Sequence, residues 1–463
     1  MNILAINVAL RPYSPVKIFP VGLGYVLTSI KQAGFDFDLI DIDLHRYTES
    51  ELKRLILKKK YDVVCMGCIV TGYSIIKSLT SLIRECHPNA KIIVGNTVAS
   101  SIHETLLSET ETDIAILGEA DITIVELIDA LINNKPLEEV GNIAFVKNGK
   151  IIKTHSIQLI KDISSLPFID FSIFEVEEYI KNCKTFVKDS STITADNVRG
   201  LPVNTARGCI ADCSFCYHIF KGKKYRYRSP ESIVMEIKAL IDKYSLNYIF
   251  FWDELTFFSK KQAYELAKKI LDEKLKFYWH ASCRADLFKE EEDLKILQTL
   301  KEAGCVGLGF ALESSDQEIL KAMNKHITVE DFSRQTKLVK QAGLEVWTSI
   351  VLGYPQETSE TIKKTYDCCI ENDVYPSTGY LLPQPGSVMY AYALENGFIC
   401  NEEEYLLKMG DRQDLRLNMT KMGNEEFESC VIENIKRCNM ALNIQLDQEN
   451  LIKTQNHRVS HKN

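Results

Sequence analysis

Residues 205–218 read TARGCIADCSFCYH, and the fold follows from how this stretch is understood. Cys209, Cys213 and Cys216 stand in a C-x3-C-x2-C spacing, with Phe215 directly before the last. Clusters that only carry electrons are held by four thiolates. A set of three can hold three irons of a four-iron cluster and leave the fourth open to a small molecule. Zinc sites also gather cysteines, but a structural zinc usually takes a C-x2-C knuckle and a second ligand pair. No such pair is evident in the sequence, and chance spacing among 14 cysteines is the other alternative.

Outward from the triplet, LPVNTAR (201–207) reads as a strand leading into the ligand-bearing loop. After it, YIFFWDE (248–254), FYWHASC (277–283), VGLGFALE (306–313), EVWTSIVLG (345–353) and STGYLLP (377–383) read as further strands. The helices between them, such as 229–244 and 259–274, open on serine caps. Six strand–helix units are fewer than the eight of a complete barrel, so a partial, open (βα)6 barrel is expected over 201–395.

Upstream, NILAINVAL (2–10), FDFDLIDIDL (35–44), YDVVCMGCI (61–69), AKIIVGN (90–96) and DIAILGE (113–119) alternate with amphipathic helices. This alternation predicts an α/β, Rossmann-like (flavodoxin-like) domain over 1–135, its parallel sheet covered on both faces. Ligands of such sheets bind beyond the carboxyl ends of the strands. The residues there are Gly22, Gly24, Thr71, Gly72, Gly95, Asn96, Thr97, Gly118 and Glu119. Residues 136–200 read as a linker with a hairpin turning at Asn148-Gly149, followed by SLPFID (165–170) and SSTITADN (190–197). Residues 396–463 read as a small, polar helical region with a frayed tail at 451–463.

Bulk properties bound the function classes. A chain of 463 residues is long enough for roughly three domains. A net charge of −8 argues against a nucleic-acid backbone as partner. The basic run KGKKYRYR (221–228) reads as a solvated loop or as a contact to an anionic substrate or an acidic electron donor. No run of about 18 apolar residues spans a membrane and the start lacks signal-peptide character, so the cytoplasm is expected. Scattered cysteines fit a reducing compartment, and those outside the triplet read as small buried apolar residues.

The cysteine triplet at the head of a six-unit open barrel resembles the signature of the radical S-adenosylmethionine (SAM) enzymes. The resemblance implies that Cys209, Cys213 and Cys216 ligate a [4Fe–4S] cluster and that SAM binds the open iron. The reduced cluster would cleave the sulfonium to a 5′-deoxyadenosyl radical. By position, Phe215, Asp253, Glu254, Glu313, Ile350, Gly353 and Glu357 would meet SAM, the last three lying in SIVLGYPQET (349–358). Gly208 would allow close approach to the cluster, while Arg207 is either structural or faces substrate. Loop residues Gln384, Pro385 and Gly386 would line the substrate site.

PVGLGYVLTSI (20–30), IIVGNTVAS (92–100) and GEADITIVEL (118–127) resemble the cobalamin-binding domain of the cobalamin-dependent radical SAM subfamily. That resemblance implies cobalamin at the strand-end residues named above. The loop RPYSPVKIFP (11–20) has no histidine, so cobalamin held without a protein histidine on its lower face is expected; Asp43-Leu44-His45 is only a partial echo of a ligating motif.

The implied activity is methylation of an unactivated carbon of a small-molecule substrate, with a reducing partner such as flavodoxin or ferredoxin. The alternatives are a non-methylating cyclisation, rearrangement or oxidation, and a non-catalytic iron–sulfur or cobalamin sensor. Asp411, Arg412, Asp414 and Arg416 either close over the barrel mouth or form solvated salt bridges.

Overall fold

Strand β1 (Ile3–Asn7) is buried at all five positions, as a strand is when helices cover both faces of its sheet. In the computed structural model, which describes residues 1–156, 159–187 and 193–444, it lies inside a seven-stranded sheet. Its companions are β2 (Phe37–Asp41), β3 (Val63–Gly67), β4 (Lys91–Gly95), β5 (Ile114–Ile116), β6 (Ile143–Lys147) and β7 (Lys150–Lys153). The order is β2-β1-β3-β4-β5-β6-β7, and the first five strands are parallel. Because β1 lies between β2 and β3, the chain leaves it in opposite directions at successive crossovers. This opens a crevice at the carboxyl ends of the strands.

The hairpin β6–β7, expected in a linker, is instead the antiparallel edge of this sheet. Ile143, Ala144 and Phe145 of β6 are buried against the core, which binds the hairpin to the first domain. The tail at 451–463 and residues 190–192 of SSTITADN lie outside the described residues.

The second sheet contains β8 (Gly200–Val203), β11 (Tyr248–Phe251), β12 (Tyr278–Ser282), β13 (Cys305–Gly309), β14 (Glu345–Leu352) and β15 (Pro376–Tyr380). The strands follow one another in sequence order and every pairing is parallel. The end strands β8 and β15 do not pair with each other, so the barrel is open. The expected strand 201–207 is broken: β8 ends at Val203. Then β9 (Ala206–Arg207) pairs antiparallel with β10 (Arg226–Tyr227), forming a ribbon that brackets the cysteine loop. Linker residues Cys183, Ile193 and Val198 pack on Tyr248 and Phe250 of β11.

The carboxy-terminal region joins the two halves. Its helix Glu402–Lys408 bonds to the first domain through a Lys77–Glu403 ion pair and a 2.6 Å bond from Thr105 Oγ1 to Glu402 Oε2. Arg11 pairs with Asp411 at 2.7 Å. Arg412 accepts the Tyr380 N–H through its carbonyl at 2.7 Å and lays its side chain over Gly379, while Arg416 pairs with Asp414. These contacts fasten the segment to the edge of β15 and to the first domain. Among the described residues, no helix is long and apolar enough to cross a membrane.

Gly304 turns the chain into β13 at φ +90°, and a Cβ there would stand 2.1 Å from the Phe277 carbonyl oxygen. Gly304→Ala is expected to lower stability by about 1–3 kcal/mol or more, seen as a lower urea midpoint at unchanged slope.

Candidate functional site

The cysteine loop is shaped by Asp253, just past β11. Its Oδ1 accepts from Asn204 Nδ2 at 2.6 Å and from the Thr205 and Ala206 N–H groups at 2.8 and 3.0 Å, and its Oδ2 accepts from Thr205 Oγ1 at 2.6 Å. These bonds turn the chain between β8 and β9. They also occupy the carboxylate expected to meet SAM, even though burial pushes Asp253 up to about 7.

Beyond the turn, the loop is held from three sides of the barrel. The Ser214 N–H donates to the Met323 carbonyl at 2.9 Å, and Ser214 Oγ bonds to Ala322 O and Tyr354 OH. Asn324 Nδ2 donates to Asp212 O at 2.8 Å, and the Met389 N–H donates to Ser214 O at 3.0 Å. Lys221 Nζ donates to the carbonyls of Cys213 and Cys216 at 2.9 and 2.7 Å. Gly386, at φ +87°, leaves no room for a Cβ, which would lie 2.4 Å from the Tyr217 ring. The loop carrying Gln384 and Pro385 therefore packs directly beside Cys216.

The backbone is fixed and the three cysteines are free of disulfides. Desolvation raises the Cys213 thiol against the opposing charge of Lys325, and desolvation with the neighbouring Cys213 thiol pushes Cys216 up to about 12. A bound cationic centre would therefore have to displace the protons of these thiols, as coordination of a thiolate does. Among the described residues, no three His, Cys, Asp or Glu side chains converge on a single metal ion. A four-iron cluster does not ask for that, because each cysteine binds a different iron.

The other expected SAM contacts divide by what already occupies them. Glu357 is 2% exposed; its Oε1 accepts from Thr361 Oγ1 at 2.5 Å and its Oε2 from the Gly353 N–H at 3.3 Å. It closes its own loop, and Gly353 packs against Phe427. Glu254 is exposed and accepts from the Gly208 N–H at 3.3 Å, next to Cys209. Glu313 is buried at φ +65°, with its N–H donating to Ser349 O and its C=O accepting from the Val351 N–H. Its Oε1 pairs with Lys325 at 3.0 Å, and its buried Oε2 has no hydrogen-bond partner among the described residues. An orphaned buried acceptor is costly and calls for a donor, and the amino or hydroxyl groups of SAM would supply one. Ile350 is fully buried between Glu313 and β15, and Phe215 meets Tyr354 edge-on at 6.5 Å.

In the crevice of the first sheet, the positions a Cβ would take at Gly22, Gly95 and Gly118 are open. Tyr13, Ile69 and Ile122 present exposed apolar side chains after β1, β3 and β5. Open glycine edges flanked by exposed apolar groups fit a large, flat, partly apolar ligand such as a corrin. Thr71 lies in the turn Val70–Gly72, and Asn96, at φ +70°, caps the Thr97 N–H at 2.6 Å. Thr97 Oγ1 accepts from the Val70 N–H at 2.8 Å, and Gly24 packs on Ile169. Those two positions serve the fold. His45 bonds to Glu175 at 2.6 Å and stacks on Tyr47.

Glu119 does not face the crevice. It accepts from Arg207 at 2.5 Å and from Arg226 at 3.0 Å, while Arg207 also grips Asp121 through two bonds of 2.8 and 2.9 Å. All four side chains are at most 8% exposed. Arg207 is thus structural, and it ties the cysteine loop to the GEAD turn of the first domain. Arg226 and Arg228 of the basic run are likewise buried, Arg228 on Glu236, leaving Lys223 and Lys224 exposed. Asp121, Lys325 and Tyr354 carried no separable signal in the sequence, because their roles depend on partners 12 to 140 residues away.

The model of the radical SAM superfamily matches residues 203–369, and that of the B12 binding domain matches residues 11–128. A protein of Pyrococcus horikoshii named as an uncharacterized methyltransferase is 27% identical over 385 residues, 82% of this chain and 79% of that one. The anaerobic magnesium-protoporphyrin IX monomethyl ester cyclase of Cereibacter sphaeroides is 25% identical over 354 residues, 75% of this chain and 55% of that one. TsrM of Kitasatospora setae, a radical SAM methyltransferase solved with cobalamin and a [4Fe–4S] cluster, shares the fold at a TM-score of 0.69. It is 18% identical, over 85% of this chain and 78% of TsrM. The chain is a two-domain enzyme with a B12-binding domain ahead of a radical SAM domain. The radical SAM domain implies a [4Fe–4S] cluster and SAM, and the B12-binding domain implies cobalamin.

Arg207→Met leaves Asp121 buried without its partner and is expected to cost about 3–5 kcal/mol, measurable by chemical denaturation. Burial pushes Glu357 up to about 7 from its ordinary 4.5. A raised carboxyl favours the protonated fold, so its contribution is full below pH 4.5 and is lost as pH rises through 7. Glu357→Gln should remove that slope, making the variant lose less stability than the native chain between pH 5 and 8.

Proposed function

We propose that this enzyme methylates an unactivated carbon of a small-molecule substrate. The observation that carries the reading is the Arg207 anchor, which joins the three-cysteine loop at the barrel mouth to the strand-end turn of the cobalamin domain. When bound, the cofactors would supply one-electron reductive cleavage of the SAM sulfonium, with the electron coming from the reducing partner, and a transferable methyl group.

The chain's own residues position and exclude. Cys209, Cys213 and Cys216 hold the cluster, Phe215 presents apolar surface beside it, and Ile350 packs behind Glu313. Glu313 Oε2 and Glu254 accept from the polar groups of SAM. Asp253, Gly353 and Glu357 set the loops on which those contacts stand. Gly22, Thr71, Gly95, Asn96 and Gly118 border the corrin. Lys223 and Lys224, exposed just past the cysteine loop, offer a basic face to an acidic reductant of the flavodoxin or ferredoxin kind. A donor of that kind is consistent with a cytoplasmic enzyme.

A non-methylating ring closure is the second reading, favoured by the relative named as a cyclase. Anaerobic incubation of the reconstituted protein with SAM, reductant and methylcobalamin should release 5′-deoxyadenosine. Its absence would sink the radical assignment. A product heavier by one methyl group supports methyl transfer, and one that has lost hydrogens supports cyclisation. Cys213→Ala should lose the brown chromophore and most bound iron; full retention would count against the ligand set.

A further inference from the structure

The side chain of Lys325 is 13% exposed, and its ammonium stands 3.0 Å from Glu313 Oε1. Taking a lysine out of water is costly unless its partners repay the desolvation. Here the pairing is half made on both sides. Among the described residues, Lys325 Nζ has no second hydrogen-bond partner and Glu313 Oε2 has none at all. An ammonium carries three donors, so a pair built for stability alone would be a poor one.

The backbone is bent to put the ammonium there. Asn324 and His326, on either side of Lys325, both take the left-handed conformation at φ +53°, which non-glycine residues adopt at a cost. Arg284 holds the turn by donating from Nη2 to the carbonyls of Lys325 and His326 at 3.1 and 2.9 Å, and Asp286 orients that guanidinium in turn. The residues leading into the turn are laced to the cysteine loop. Met323 O and Ala322 O accept from Ser214, and Asn324 Nδ2 donates to Asp212 O, so both chain neighbours of Cys213 are tied to the segment that carries Lys325. The ammonium acts on the Cys213 thiol more strongly than the Glu313 carboxylate does, which turns the positive end of the pair toward that sulfur. The other cations beside the loop are already spent. Arg284 serves the turn, while Lys221 donates to the carbonyls of Cys213 and Cys216 and lies 3.5 Å from the exposed Asp212.

Three thiolates more than offset the charge of an oxidised four-iron core, so the bound unit is an anion, and an electron gained by the core makes it a stronger one. Net charge and solvent exposure set the potential at which this happens. A fixed ammonium beside one of the thiolates stabilises the more negative, reduced state. We propose that Lys325 sets the reduction potential of the cluster held at Cys213, raising it toward the reach of a one-electron protein donor, with the Glu313 carboxylate as the opposing charge that holds the ammonium in place. This rests on the radical SAM reading above and adds the electrostatic control of that site.

The test is a potentiometric titration of the cluster-reconstituted protein without SAM, following the electron paramagnetic resonance signal of the reduced cluster. Lys325→Gln should lower the midpoint, so that at the potential that half-reduces the native cluster the oxidised form outnumbers the reduced by about tenfold. Glu313→Gln should raise the midpoint. The double variant, which replaces the ion pair by a neutral amide pair, should fall below the native chain by less than Lys325→Gln alone. A packing defect has no reason to move the two single variants in opposite directions. Should Lys325→Gln assemble no cluster, Glu313→Gln and the double variant decide between them. Unmoved midpoints, single variants that shift in the same direction, or a double variant at or above the native value would overturn the proposal. A native chain that binds no iron would sink the cluster reading and this proposal with it, whereas a native cluster whose midpoint ignores both substitutions would sink the role of Lys325 alone.

Discussion

A guanidinium held between two carboxylates, with all three side chains almost fully buried, is the contact on which the rest of the architecture depends. Arg207 meets Asp121 through a two-pronged bond, which fixes direction as well as distance. Its Cζ also lies over the Tyr25 ring at 5.1 Å, so the first domain holds it from a second side. Because Arg207 stands two residues before Cys209, the position of the cysteine loop is set by the first domain as much as by the barrel. Groups bound on two domains keep a fixed separation only where the domains themselves are rigidly spaced. A buried ionic contact of fixed geometry provides it better than an apolar seam that could slide.

The sequence revealed the fold wherever a periodic pattern met a local need. The apolar runs at 3–7, 63–67 and 91–95 could only be covered strands, and the spacing of Cys209, Cys213 and Cys216 needed no tertiary information. It misled where a polar residue had two possible employments. Asp253, Glu313 and Glu357 all end or follow strands and look alike in sequence, yet Asp253 and Glu357 are spent on backbone N–H groups and Glu313 keeps a free oxygen. Glu119 was read as a ligand-facing strand end, but its partners are arginines 88 and 107 residues away. The hairpin at 143–153 was read as linker because its turn is local, while its attachment to β5 is not.

The aromatic lining of the barrel was similarly invisible. Tyr248, His280 and Trp347 sit in strands that read as ordinary apolar runs, and Trp252 stands just past the first of them. Only the curvature of the sheet brings positions of these three strands to face one another. Once they do, the Tyr248 hydroxyl and His280 Nδ1 come within 3.0 Å of each other.

The fastening of the first domain to the barrel by Glu402, Glu403 and Asp411 has a temporal side. These residues come after both cofactor-binding domains along the chain, and domains generally fold in order of their synthesis. A nascent chain therefore passes through a stage in which both halves are formed and the crevice between them is not yet clasped. The clasp is thus the part of the joint that the chain makes only after both of the halves it holds.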